Sequence, residues 1–409
     1  MIIGRSMRRR LSTRVSARAR ALAHGGGGAA KTWETLNALA ARPKMLNMSQ
    51  GFPDFPGSTV ARMVAADAVR DGGVSLNQYS PQPGSLDLRS AVSDFVARRY
   101  GQHYDAASEV VVTAGGQEAL AATFLAYLDP GDEVVVFEPF YPFMLGAVRQ
   151  AGAVPRVVTL RAPDFAIDEA ALRAAAASPR AKMLVLNSPH NPTGHVATAA
   201  ELQLVADVCE QHDLIALSDE VYEHCVFPSS GASHRQLSAV PGMRSRCITF
   251  GSGGKLFGLT GWRVAWAYGP QELLAPLSAS HTHLTFNAPT PLQAGIAAAL
   301  REDEGSLDCI ATLFGDNFDA LAAALGQGTS VRRICAAQGG YFLVAQTPEG
   351  VSDVEFVQAL AEDKGVVCTP MSVFYASPFA EHEPCQLVRF TVCKSEAHMR
   401  SVCDALLAT

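Results

Sequence analysis

The sequence predicts an α/β protein organised around a mostly parallel, buried sheet and completed by a smaller α+β unit. Two observations carry the prediction. From about Glu109, short apolar runs alternate with stretches of helical spacing, the pattern of strands buried on both faces and joined by crossover helices. After Arg301 the pattern changes to helices with weaker strands, GGYFLVA and LVRFTVC.

Taken in order, the apolar runs are EVVVTAG, DEVVVF, AKMLVLN, DLIALSDE, RCITFGS and RVAWAYG. Between the third and fourth, Thr198-Ala-Ala-Glu201 reads as a capping box, in which a hydroxyl and a carboxylate three residues on satisfy the first free N–H groups of a helix. Leu202, Val205 and Cys209 come next at helical spacing, so the segment is a crossover helix. The expected organisation is a leader over 1–31, an N-terminal segment over 32–80 that contributes to the small domain and the site, a large domain over 81–300, and a small domain over 301–409. No internal repeat is visible.

Composition narrows the partners. With 409 residues, 48% of them hydrophobic and 18% charged, the chain is long enough for two or three domains and too apolar to be disordered. Residues 1–31 hold eight of the 33 Lys and Arg and none of the 39 Asp and Glu, which leaves 25 cations against 39 acids, a formal −14, on the body. Nucleic acid is therefore excluded as the main partner, since phosphate binding needs clustered cations. Small molecules fit better. The charge-free stretch Leu273 to Leu300 contains Pro276, Pro289 and Pro291 with Asn287 and Gln293, which a bilayer does not tolerate in one span, so no membrane partner is expected. The nine cysteines are scattered, odd in number and without a CxxC pair, which argues against a zinc site or a disulfide framework and for a reducing compartment.

Residues 1–24 are rich in Arg, Ser and Ala, and Gly25 to Gly28 form an expected flexible break after them. That composition is the mark of a transit peptide to a mitochondrion or plastid, and no apolar core for secretion is present. A solvated basic tail on a cytoplasmic protein is the alternative.

In open parallel sheets, ligands collect beyond the carboxyl ends of the strands. Here those ends carry Ala114-Gly115-Gly116-Gln117-Glu118, Glu138-Pro139-Phe140-Tyr141, Asn187-Ser188-Pro189-His190-Asn191-Pro192-Thr193-Gly194, Asp219-Glu220-Val221-Tyr222 and Gly251-Ser252-Gly253-Gly254-Lys255. Each has an ordinary structural explanation as a turn, a cap or a solvated lysine. Five together define a site.

The glycine pair lets backbone N–H groups and a helix N-terminus approach an anion. Neither GxxxxGK[ST] nor GxGxxG occurs there, so no P-loop or dinucleotide fingerprint is supported. Ser252, Lys255 and Arg263 give S-x-x-K-x7-R, an amine in a glycine-lined turn beside a hydroxyl and a guanidinium. A lysine that condenses with a carbonyl next to an anionic phosphate matches pyridoxal 5′-phosphate, which also needs an acid at its ring nitrogen. Asp219 is the candidate acid.

GFPDFPG (51–57), LNQYS (76–80), NSPHNPTG (187–194), SDEVYE (218–223), GSGGKLFGLTGWRVAW (251–266), GGYFLVA (339–345), PMSVFY (370–375) and LVRF (387–390) together resemble a class I/II aminotransferase of fold type I. Within it, the chain is most similar to the group of kynurenine aminotransferase, glutamine transaminase K and methionine aminotransferase. The resemblance runs from about Trp33 to Leu407 and implies a seven-stranded, mostly parallel sheet in the large domain. It also implies roles. Lys255 bonds the cofactor and shuttles the proton, Asp219 holds the pyridine nitrogen, and Tyr222 and Asn191 bond its phenolic oxygen. Tyr141 stacks on the ring, while Gly116, Gln117, Ser252 and Arg263 bind the phosphate. Tyr79 reaches that phosphate from a second subunit, which implies a homodimer. Arg389 takes the substrate carboxylate, assisted by Asn191 and the main chain at Gly51.

Departures from the family pattern lie at Gln117, Gly253-Gly254 and Gly258, and they bear on the substrate pocket. Phe286, with Tyr79 and Phe52, is the expected apolar wall, suited to aromatic, methionine-like or glutamine side chains rather than aspartate. His281 and His283 are expected to be structural. The activity implied is a ping-pong transamination between an L-amino acid and a 2-oxo acid. A β-lyase acting on cysteine S-conjugates is the alternative on the same residues. A non-catalytic amino-acid sensor is disfavoured because Lys255, Asp219 and Arg389 are kept together.

Overall fold

The computed structural model describes residues 15–16, 27–376 and 384–408 of the 409. Seven strands form the central sheet: β1 (Val110–Thr113), β2 (Glu133–Glu138), β3 (Val154–Thr159), β4 (Ala181–Asn187), β5 (Ile215–Asp219), β6 (Cys247–Ser252) and β7 (Ala265–Tyr268). Their order is β1-β7-β6-β5-β4-β2-β3, with β7 antiparallel to both neighbours and every other pairing parallel.

Both faces of the sheet are covered. Along β2, Val134 and Val136 enter one core and Val135 and Phe137 the other; along β4, Met183 and Val185 oppose Leu184 and Leu186. Strands buried this way read as continuous apolar runs, which is why six of the seven were legible. The seventh, β3, was not. Pro155 and Arg156 interrupt its apolar residues, a pattern tolerated because β3 is an edge strand paired only to β2.

The crossover helix Ala199–Gln211 starts with the expected capping box, and Leu202, Val205 and Cys209 are buried along it. A second unit comes after the long helix Glu304–Gly328. Its four-stranded antiparallel sheet runs Thr369–Pro370, Leu387–Thr391, Phe342–Gln346, Arg333–Ile334. The N-terminal segment serves both parts. Leu46–Asn47 pairs in parallel with Val366–Val367, whereas the helix Thr59–Asp71 packs on Thr290–Glu302.

Most of the basic leader lies outside the described residues, and so does the transit-peptide reading. Where the glycine run predicts a break, a helix Gly27–Ala40 has already begun. The residues after the glycines are good helix formers, and Leu36 is buried in the main core, so packing extends the helix back into the run. Among the described residues, no helix is long and apolar enough to cross a membrane.

Candidate active site

The strand ends and the second unit enclose a cavity of about 440 Å³. One end of it is an anion cradle. After β1 the chain turns at Gly115, whose φ of +90° favours glycine, and enters the helix Gly116–Tyr127. A side chain at 115 would overlap the guanidinium of Arg263, so glycine is what lets that cation lie against the turn. The helix has no side-chain cap, and Gly116, Gln117, Ser252, Thr260 and Arg263 all face the cavity. A helix N-terminus, two hydroxyls and a guanidinium on one space suit a phosphate dianion.

The cradle is braced from behind. The Glu118 carboxylate accepts the Ala114 N–H at 3.0 Å and meets Nδ1 of the fully buried His281 at 3.0 Å. His281 is thus a packed structural residue, and His283 is exposed.

Deeper in the cavity stand an acid and an amine. Asp219 ends β5, and burial raises its carboxyl to about 6, against the pull of the Val221 N–H and of Lys255. Lys255 sits in a tight turn after β6, where a side chain at Gly254 would press on the backbone of Leu259 and Thr260. Its Nζ donates to the Gly51 carbonyl at 3.2 Å and lies 5.1 Å from the ring centre of Tyr341 and 5.4 Å from that of Tyr222. Burial lowers its pKa, and the charges of Arg389 and Arg263 act in the same direction. An amine so placed is a competent nucleophile and proton carrier. Tyr222 and Tyr141 also line this part, and burial raises both phenols.

The far end is built around Arg389. This guanidinium, 3% exposed, donates to Asn191 Oδ1 and to the Ser49 carbonyl, each at 3.0 Å. Its Nε has no partner among the described residues, and burial pulls its pKa down to about 9. A buried cation left with an unused donor is a receptor for an anion, and the fork geometry matches a carboxylate.

Eleven of the residues singled out from the sequence therefore share one cavity: Gly51, Gly116, Gln117, Tyr141, Asn191, Asp219, Tyr222, Ser252, Lys255, Arg263 and Arg389. Two do not. Tyr79 is 78% exposed and Phe286 41% exposed, and their rings pack edge to face at 5.1 Å away from the cavity lining. Of the expected wall of Phe286, Tyr79 and Phe52, Phe52 lines the cavity among the described residues of one chain, while Phe286 and Tyr79 lie at the chain's surface, Tyr79 being expected to act at a second subunit. Phe286 leaves its helix with φ +68°, which ends the helix and keeps the ring at the surface. The cavity wall is instead formed by Trp33, Phe342 and Phe374. Sequence reasoning missed these, and also Asn187, whose Oδ1 holds the Asn191 N–H at 2.7 Å. Asn187 opened a motif already recognised, while Trp33 is brought in by the N-terminal helix and had no local signal.

A phosphate cradle facing an amine of lowered pKa and a buried carboxylate defines a pyridoxal 5′-phosphate enzyme. The chain belongs to the class I and II aminotransferases, whose family model matches residues 43–406. It is 40% identical over 373 residues to the probable N-succinyldiaminopimelate aminotransferase DapC of Mycobacterium tuberculosis, covering 88% of this chain and 91% of that protein. To the methionine aminotransferase of Escherichia coli it is 34% identical, over 91% and 94% of the two chains, and to human kynurenine--oxoglutarate transaminase 1 it is 32% identical, over 91% and 94%. The solved structure of N-succinyldiaminopimelate aminotransferase from Mycobacterium tuberculosis superposes with a TM-score of 0.85 at 39% identity, covering 92% of this chain and 96% of that one. The protein is an aminotransferase that uses pyridoxal 5′-phosphate.

Proposed function

We propose that the enzyme takes its amino group from an L-amino acid with an aromatic, kynurenine-like, methionine-like or glutamine side chain. A 2-oxo acid receives it by a ping-pong mechanism. The observation that carries this is the charge pattern of the cavity. Among the described residues its cations are Lys255, Arg263 and Arg389; the first two belong to the cofactor end, so one guanidinium remains for the substrate. That cation is spent on the α-carboxylate, and the wall around it is aromatic: the rings of Phe342 and Phe374 lie 3.9 and 4.5 Å from its central carbon. For a second, distal carboxylate no further Lys or Arg lines the cavity among the described residues of this chain.

When bound, pyridoxal phosphate supplies the carbonyl that takes up the amino group and the ring that accepts the electrons left by the departing α-proton. The protein does the rest. Arg389 and Asn191 orient the substrate carboxylate. Asp219, as an ionised carboxylate, favours a protonated ring nitrogen. Lys255 Nζ takes the proton from the substrate α-carbon and would hand it on to the carbon that the cofactor's carbonyl supplies, the kind of positioned transfer worth about 10²–10⁴-fold. Two copies are proposed to share their sites, which gives the exposed Tyr79 and Phe286 pair a role at the neighbouring subunit.

A second reading, transamination of N-succinyldiaminopimelate, is favoured by the 40% identity to the mycobacterial protein of that name. A panel of amino donors that includes this compound, crossed with 2-oxo acids and scored by kcat/KM, tests both. Highest kcat/KM for neutral side chains supports the first reading; highest for N-succinyldiaminopimelate, which carries two carboxylates beyond the one at the reacting centre, replaces it. The β-lyase alternative predicts pyruvate release from a cysteine S-conjugate without added 2-oxo acid. Light scattering on the purified protein tests the dimer.

A further inference from the structure

We propose that Lys394 is a positioning residue for substrate binding, whose ammonium anchors the loop that presents Gly51 and Phe52 to the cavity. The proposal rests on the aminotransferase reading for its assay. Three carbonyls of this loop are held by cations in succession. Ser49 O accepts from Arg389 Nη2 at 3.0 Å, Gly51 O from Lys255 Nζ at 3.2 Å, and Phe52 O from Lys394 Nζ at 2.7 Å.

The first two of these cations are drawn on by the chemistry. Arg389 has a substrate carboxylate to hold, and the Lys255 amine bonds the cofactor. Neither tether is constant through turnover. Lys394 is outside the cavity lining, so the third tether is independent of the reacting groups.

Its mounting is rigid. Lys394 is only 3% exposed, and its own carbonyl accepts from the buried side chain of Asn317 at 2.8 Å. The next residue, Ser395, holds Asp54 of the same loop through its N–H at 2.6 Å and its hydroxyl at 3.1 Å. An ammonium taken out of water needs oxygen or an aromatic face in return. Here it finds both in one residue, since Nζ also lies 4.5 Å from the centre of the Phe52 ring. That ring is 41% exposed, so solvent gives it no rigid backing and the lysine sets its position. On the other side, the Phe342 ring fills the space where a side chain at 51 would go, and the same ring stacks on Arg389 at 3.9 Å. A shift of the loop therefore reaches the carboxylate site through Phe342 and Arg389.

The test uses the holoenzyme with Lys394→Met, Lys394→Gln and Lys394→Arg. Two quantities are read: kcat and KM for the donor the parent enzyme prefers, and calorimetric binding of 3-phenylpropionate, a carboxylate with no amino group to react. Loss of ground-state positioning raises KM about tenfold in the Met and Gln variants, with kcat within about twofold of the parent. Phenylpropionate weakens in parallel, and Lys394→Arg returns both quantities to within about threefold of the parent. Unchanged KM and affinity overturn the proposal. So does a fall in kcat alone, or an Arg variant that behaves like the Met variant. Absence of folded protein for both Met and Gln makes Lys394 a purely structural lysine and also overturns it. A parent enzyme that turns over no amino acid fails the functional reading instead, and the phenylpropionate measurement still decides this one.

Discussion

The guanidinium of Arg389 and the ring of Phe342 stack at 3.9 Å, and any side chain at Gly51 would overlap that same ring. Loop, ring and cation thus form one layered contact, which fixes where the guanidinium lies in the cavity. Arg389→Lys keeps the charge but loses the fork. Breaking part of a buried, hydrogen-bonded charge pair costs about 2–5 kcal/mol, so kcat/KM for amino-acid donors should fall about 30-fold or more. Steady-state kinetics decide it, and a loss below about threefold contradicts the assigned role.

Lys255→Ala should retain the fold and lose turnover by at least the roughly 10²–10⁴-fold expected of a positioned proton carrier. The readouts are kcat and a circular-dichroism melt on the same preparation. Near-normal turnover would remove Lys255 from the mechanism.

Asp219 links function to stability. Its carboxyl stands at about 6 in the folded protein, against roughly 3.9 in an unfolded chain. Between those values the folded state holds a proton that the unfolded state has lost, so stability falls as pH rises through the window. Above it the full cost is present, about 3 kcal/mol at 1.36 kcal/mol per unit. Cofactor-free Asp219→Asn should therefore be more stable than cofactor-free parent at pH 7.5, with the gap closing below pH 4, while transamination is lost. Urea unfolding at several pH values measures this; equal stability at pH 7.5 would show that the carboxylate is not strained.

Gly115→Ala should weaken cofactor binding. The residue holds φ at +90°, and an added methyl overlaps Arg263, so both the backbone turn and the cation must shift. With φ +90° and ψ +161° the backbone lies where essentially only glycine goes, and holding a residue with a Cβ there costs roughly 1–3 kcal/mol before the guanidinium is displaced, which predicts about tenfold weaker binding. Titration of cofactor-free protein with pyridoxal phosphate, monitored by absorbance, checks it.

Gly116, Tyr141, Asn191, Asp219 and Lys255 were legible because they follow apolar strand runs in the chain, so a run such as DLIALS announces Asp219 directly, whereas Arg389 lies inside its own strand. Runs buried on both faces are apolar throughout, and only β3, with Pro155 and Arg156 at an edge, escaped notice. The substrate wall was less legible. Phe286 shares its segment with the histidines, but helix geometry leaves it at the surface beside Tyr79, whereas Trp33, more than 350 positions before Arg389 in the chain, approaches it.

Reading the chain alone was enough for the α/β architecture, the cofactor class and an amine, an acid and a guanidinium that share one cavity, because strand period, turn chemistry and motif spacing are local properties. Which aromatic rings close the cavity, which glycines yield to a neighbouring cation, and which lysine steadies the 49–54 loop were decided by packing between segments far apart in the chain. Those contacts depend on how whole elements dock, and sequence spacing carries no record of that.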